Sequence, residues 1–216
     1  VKAGAADDES FDQEYMCIPA DDDAKFIEYE LITGCEYGAG ADWQRDVDDP
    51  FTGRVFCGVD IGRKKDLTVL WVVEQLGDVL YTRHVEALER MRKSAQEAVL
   101  WPWFARADRI CIDATGMGIG WADDAQDEFG EHRVEAVNFS AQVKEALAYP
   151  LKGAMEDRVL RIPDDPMIRA FFASIPHDRL IEVIHRRVGE SDLRALLAQI
   201  VHAYPSWEGR GLPIGA

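Results

Sequence analysis

The sequence predicts an α/β domain built on a mixed sheet, with three antiparallel strands followed by parallel ones and helices on both faces. Three observations carry this. Residues 54–86 hold three apolar runs rich in β-branched and aromatic residues, separated only by IGRKKD and QLGD, spacings that join neighbouring antiparallel strands. From about residue 92 onward, helical and strand-like segments alternate, which implies crossover connections and parallel pairing. The 216 residues, 47% of them hydrophobic, suffice for one sizeable core.

In chain order, residues 1–23 are polar. AKFIEYELITGCE reads as one helix with Asp23 as N-cap, and EYGAGADWQRDVDDPFTG (36–53) reads as Gly- and Asp-rich loop. Strands are expected at about 54–61, 67–75 and 78–86. A helix follows at 92–105, with Pro102 bending or ending it, and RICID reads as a strand closed by the glycine-rich turn ATGMG. Residues 119–129 read as helix, HRVEAVNF as strand, AQVKEALAYPLKGAMED as a longer helix and VLRI as a short strand before the break at Pro163 and Pro166. PMIRAFFASI and ESDLRALLAQIVHA read as helices, DRLIEVIHRR is ambiguous, and YPSWEGRGLPIGA reads as disordered tail. This gives three parts: an acidic arm at 1–53, the α/β domain at 54–203, and the tail at 204–216.

The net charge is −16, which argues against a nucleic-acid partner at face value. Its distribution changes that. Residues 1–50 hold 15 acids and three bases, a net of −12, leaving −4 for the rest. The main domain is therefore nearly balanced. No stretch approaches the roughly 20 apolar residues of a membrane span, and VKAGAADDES lacks the basic start and apolar core of a signal peptide. A soluble, intracellular protein is expected. Four cysteines, Cys17, Cys35, Cys57 and Cys111, form no CxxC pair and read as buried free thiols.

Two carboxylates stand out. Asp60 ends the first strand, ahead of Gly62, and Asp113 ends RICID, ahead of Thr115, Gly116 and Gly118. On parallel neighbouring strands both would project at one sheet edge, where open α/β sheets place their sites. Like charges that close need a shifted pKa or a hard cation such as Mg²⁺ or Mn²⁺. Each Asp alone also suits a turn or helix cap. Asp192, with Glu190 beside it, is the candidate third ligand at the start of ESDLRALLAQIVHA, where an N-cap at Asp192 or Ser191 is the alternative.

The stretches DQEYMC, YELI, GVDIGRKKDLTVLWVVE, ICIDATGMG and QVKEALAYPLKGAMEDRVLRIPDDP together resemble the nuclease domain of the large terminase subunit of tailed bacteriophages, the DNA-packaging motor, with a texture closest to Mu-like phages and prophages. The resemblance covers about residues 10–170. It implies a ribonuclease H-like fold and a metal-dependent endonuclease that hydrolyses double-stranded DNA during packaging. Two Mg²⁺ or Mn²⁺ ions would be held by Asp60, Asp113 and Asp192, the last in a stretch that keeps Leu197, Ala198, His202 and Ala203 of the family's pattern. Implied partners are the ATPase domain of the same subunit, the portal and the small terminase subunit, with no membrane, in the cytoplasm of the infected or lysogenic host.

Lys64 and Lys65, in the loop after Asp60, and Lys144, at the start of the QVKEAL helix, are candidate DNA-backbone contacts. The alternatives are a solvated hairpin tip and an exposed helix lysine. Asp66, in the same loop as Lys64 and Lys65, reads as a turn residue, with a further ligand as the alternative. Nothing fits GxxxxGK[ST], so no ATPase site of that type is expected. Residues 1–50 then correspond to the end of the motor region and a linker. A second reading is a catalytically inactive docking module that contacts the portal or the motor domain. An actin-like kinase built on GVDIG is disfavoured by chain length.

Overall fold

A computed structural model describes residues 26–38, 43–62, 67–116 and 118–173. These form β1 (Glu36–Tyr37), β2 (Arg54–Asp60), β3 (Thr68–Leu76), β4 (Val79–Leu88), β5 (Arg109–Asp113), β6 (Val134–Val137) and β7 (Leu160–Pro163). The helices are α1 (Tyr29–Cys35), α2 (Lys93–Arg106), α3 (Gly118–Phe129), α4 (Ala141–Glu156) and α5 (Pro166–Ala173). The strands make one sheet in the order β1-β7-β4-β3-β2-β5-β6. β2, β3 and β4 are an antiparallel meander, as the short loops require, and β5, β6, β7 and β1 pair in parallel. The mixed sheet expected from the apolar runs is the one found.

Alternation along the strands separates two cores. On one face Phe56, Trp71, Val73 and Cys111 pack under α1, α4 and α5, through Ile32, Leu147, Leu151, Met155 and Phe172. On the other, Val55, Cys57, Val59, Leu70, Ile110 and Ile112 pack under α2 and α3, through Leu100, Trp103, Phe104, Trp121 and Ala125. Each core residue at about 25 cal/mol per Å² of buried apolar area contributes on the order of 2 kcal/mol, which explains one local departure. Pro102 does not end its helix, one of the two outcomes expected of it: α2 continues through it to Arg106. Burial of Leu100, Trp103 and Phe104 around it offsets the roughly 3 kcal/mol that an internal proline costs.

Two further features differ from the sequence reading. Helix α1 starts at Tyr29 rather than near Ala24, and Glu28, its N-cap, makes no side-chain capping bond. Glu36 and Tyr37, within the segment read as loop, are a strand paired with Ile162 and Pro163 of β7. Side chains fix it there. Arg161 donates to the Glu36 carbonyl at 3.0 Å, Arg169 pairs with the Glu36 carboxylate at 2.6 Å, and Arg158 donates to the Leu31 carbonyl at 3.2 Å. The Arg158 guanidinium lies so close over Gly34 that a β-carbon there would stand 2.1 Å from it.

Residues 43–53 also lie against the sheet. Gln44 mimics a strand, bonding the Val85 carbonyl and amide at 3.0 Å each, and the Arg45 amide donates to the Arg83 carbonyl at 2.9 Å. A β-bulge between Val72 and Val73 leaves Arg83 as the extra residue of β4. Its guanidinium meets the fully buried Glu74 at 2.9 Å. Asp23, Cys17 and all of residues 174–216, including the expected helix 190–203 and tail 204–216, lie outside the described residues.

Candidate metal centre

The site begins with register. Strands β2 and β5 run parallel with Cys57 beside Ile110, Gly58 beside Cys111 and Val59 beside Ile112. One step further sets Asp60 beside Asp113, each the last residue of its strand. Residues opposite one another on parallel strands share a face. Val59 and Ile112 both enter the α2/α3 core, so Asp60 and Asp113 project on the opposite side, that of Phe56 and Cys111. The structure therefore brings together the two carboxylates expected to share an edge.

Both are poorly solvated, at 8% exposure for Asp60 and 4% for Asp113. Neighbouring strands lie about 4.8 Å apart. Two carboxylate charges near 5 Å, at an effective dielectric of about 20, repel by roughly 3 kcal/mol. A hard cation between them offsets that repulsion, and anionic carboxylate oxygens such as Asp113 Oδ2 are the donors such ions take. The residues present thus fit a divalent oxygen-loving ion. Among the described residues no third His, Cys, Asp or Glu completes a group able to hold a metal, and no arginine or lysine forms an ion pair with Asp113.

Local geometry explains how each acid is held. After Asp60, the Gly62 amide donates to the buried Thr68 hydroxyl at 3.1 Å, which closes the base of the β2–β3 loop. After Asp113, the Thr115 amide donates to Asp113 Oδ1 at 2.7 Å. The Ala114 amide continues the ladder to the Val137 carbonyl at 2.8 Å, and Gly116 turns the chain with φ +68°, a conformation glycine adopts without penalty. Gly118 then begins α3 against the end of β5, where a β-carbon would lie 1.7 Å from the Asp113 carbonyl oxygen.

Asp192, Lys64, Lys65 and Asp66 lie outside the described residues, as does the side chain of Lys144, whose backbone is in the first turn of α4. The glycine spacing of ATGMG signalled a tight turn at Asp113, but nothing in the sequence signalled that Phe139, after β6, contributes. Its amide donates to Thr115 Oγ1 at 3.3 Å.

A mixed sheet with a meander, a parallel neighbour to its first strand and paired acids at those two strand ends defines a nuclease domain of the ribonuclease H-like class. The chain belongs to the terminase RNase H-like domain family, whose model matches residues 57–177. The large terminase nuclease of thermophilic phage G20c with bound magnesium superposes with a TM-score of 0.60 and 17% identity, over 84% of this chain and 99% of that one. The nuclease domain of the Thermus phage P74-26 large terminase gives 0.55 and 16%, over 79% and 94%. The HK97 bacteriophage large terminase gives 0.56 and 11%, over 83% of this chain but 43% of that longer one. No curated protein matches the sequence. The resemblance carried by GVDIG, IDATGMG and QVKEALAYPL thus identified both family and fold.

Proposed function

We propose that this domain is a Mg²⁺- or Mn²⁺-dependent endonuclease that cuts double-stranded phage DNA during packaging, with two ions held by Asp60, Asp113 and Asp192. One observation carries the reading: two buried aspartates, register-matched on adjacent parallel strands and facing the same side. Asp60, Asp113 and Asp192 would hold the divalent ions, which would lower the pKa of the attacking water and neutralise charge on the leaving 3′ oxygen. The chain's own residues hold that chemistry in place. Asp60 and Asp113 offer anionic oxygens in a low-dielectric setting, where their pull on a cation is stronger than in water. The rigid strand ends fix their separation, and the Thr115 amide fixes one oxygen of Asp113.

Lys64, Lys65 and Lys144 are assigned to the DNA backbone, and the nearly balanced charge of residues 51–216 fits a domain that relies on other parts of the machine for DNA affinity. Those parts, in this proposal, are the ATPase domain, the portal and the small terminase subunit, in the cytoplasm of a phage-infected or lysogenic host. No helix among the described residues is long and apolar enough to cross a membrane. The nuclease unit is taken as residues 54–203, with residues 26–38 and 43–53 packed on it.

Supercoiled-plasmid nicking with Mn²⁺ tests the assignment. Wild-type protein is expected to nick, and Asp60→Ala and Asp113→Ala to lose at least about 100-fold of the rate, since a lost ligand removes an ion's whole contribution. No cleavage by wild type, or undiminished cleavage by both variants, refutes it.

A further inference from the structure

The loop that follows Asp113 is tied down at more points than a turn requires. Thr115 sits at its centre and makes two bonds of different kinds. Its amide donates to Asp113 Oδ1 at 2.7 Å, and its hydroxyl accepts from the Phe139 amide at 3.3 Å. Phe139 lies between β6 and α4, is 6% exposed and is anchored in the α1/α4/α5 core. The next residue, Ser140, caps α4 by accepting from the Val143 amide at 3.3 Å. The hydroxyl of an otherwise exposed threonine therefore joins the turn that holds the carboxylate to the start of a sixteen-residue helix.

We propose that Thr115 is a positioning residue for Asp113: its hydroxyl clamps the β5–α3 turn to the β6–α4 connection, which keeps its own amide on Oδ1 and leaves Oδ2 for the cation. This rests on the metal-site reading above. Asp113 Oδ2 has no protein partner among the described residues, whereas Oδ1 is committed. A carboxylate held by one oxygen loses its freedom to rotate about χ2, a torsion that is otherwise soft. The ion then meets a preset donor instead of ordering one. Outer-shell partners of this sort commonly alter metal affinity by tenfold or more, and one neutral hydrogen bond alone is worth a factor of about 2–13.

The test compares wild type, Thr115→Ala, Thr115→Val and Thr115→Ser in the full chain. Calorimetric titration with Mn²⁺ is expected to show ~3–10-fold weaker binding for Ala and Val, with Ser restored to within about twofold of wild type. In metal-free protein, amide hydrogen exchange at Phe139 and Thr115 is expected to accelerate in Ala and Val but not in Ser. Nicking at saturating Mn²⁺ is expected to recover most of its rate, with KM for plasmid unchanged, because Thr115 acts through the ion and not on DNA. Wild-type affinity and unchanged exchange in Thr115→Ala overturn the positioning role alone, as does a Ser variant that behaves like Ala. Wild-type protein that binds no Mn²⁺ overturns the metal-site reading and this role with it.

Discussion

Replacing Glu74 by Gln isolates one buried charge and gives a stability change that follows from its contacts. Glu74 is fully buried near the C-terminal end of β3. Oε1 accepts from the amides of Thr52 and Gly53 at 2.8 and 3.0 Å, and Oε2 accepts from Arg83 Nε at 2.9 Å and Arg45 Nη1 at 3.4 Å. Gln keeps the shape and one acceptor oxygen. Its NH₂ group must then face either two backbone donors or the guanidinium of Arg83, which is itself 4% exposed. Removing one partner of a buried ion pair costs about 3–5 kcal/mol, against a total stability of roughly 5–15 kcal/mol.

For a chain of this size that loss corresponds to a fall in Tm of about 6–20 °C, readable by calorimetry or urea denaturation. The effect has a pH signature. Burial alone would raise the Glu74 carboxyl, but the Gly53 and Thr52 amides and the Arg83 guanidinium outweigh it and hold the group below the ordinary carboxylate value. A depressed folded-state pKa contributes stability that is fully present above the unfolded value of about 4.3. That contribution is lost as pH falls through the folded value. The gap between wild type and Glu74→Gln should thus be widest near pH 7, begin to narrow below about pH 4.3, and close as pH falls through the lowered folded value. Nicking measured at low temperature should be intact, because Glu74 lies five residues along β3 from the partner of Asp60, about 17 Å. A loss under 1 kcal/mol at pH 7, or a gap constant down to acid pH, would show that the ion pair does not hold residues 43–53 to the sheet.

Three more outcomes are expected. Gly118→Ala should abolish Mn²⁺-dependent nicking and cost about 2–4 kcal/mol, because the new β-carbon meets the Asp113 carbonyl, a backbone atom that cannot swing aside; an unchanged Tm by calorimetry would contradict the close approach. Asp113→Asn retains an acceptor for the Thr115 amide while removing an anionic ligand, so the rise in Tm produced by Mn²⁺ should disappear, as calorimetry with and without the ion will show. Cys57 and Cys111 are fully buried, and burial pushes both thiols well above the ordinary value. Mass spectrometry after iodoacetamide treatment at pH 8 should find both unmodified in native protein and both modified in urea.

Strong local patterns explain what was legible in the sequence. VFCGVD, LTVLWVV and RICID are dense enough in β-branched and aromatic residues to fix strand type, and the short loops fix the meander. Asp60 and Asp113 became readable as a pair once their strands were taken as parallel neighbours. Glu74 shows the limit of that logic. Like Asp60, it is an acid in an apolar strand, yet its answer is Arg83, a residue brought opposite by a bulge that leaves no sequence trace. Strand β1 was illegible for a related reason. Two residues carry no period, and what makes them a strand is Arg161 and Arg169, 125 and 133 positions later. The hydroxyl of Thr115 was visible only as a residue after Asp113, since its partner belongs to another strand's exit loop.

The pairing of β1 with β7 also sets an order of events during synthesis. Residues 26–38 leave the ribosome before the other described parts of the domain, but the strand they join and the arginines that fix them come more than a hundred residues later. At about 5–20 residues per second, Phe26, Ile27, Ile32 and Cys35, all buried in the finished core, wait several seconds without their partners. The meander β2–β4 can assemble from local contacts in that interval, whereas the parallel edge must close a long loop last. The first of the described segments to be made is therefore the last to be built in.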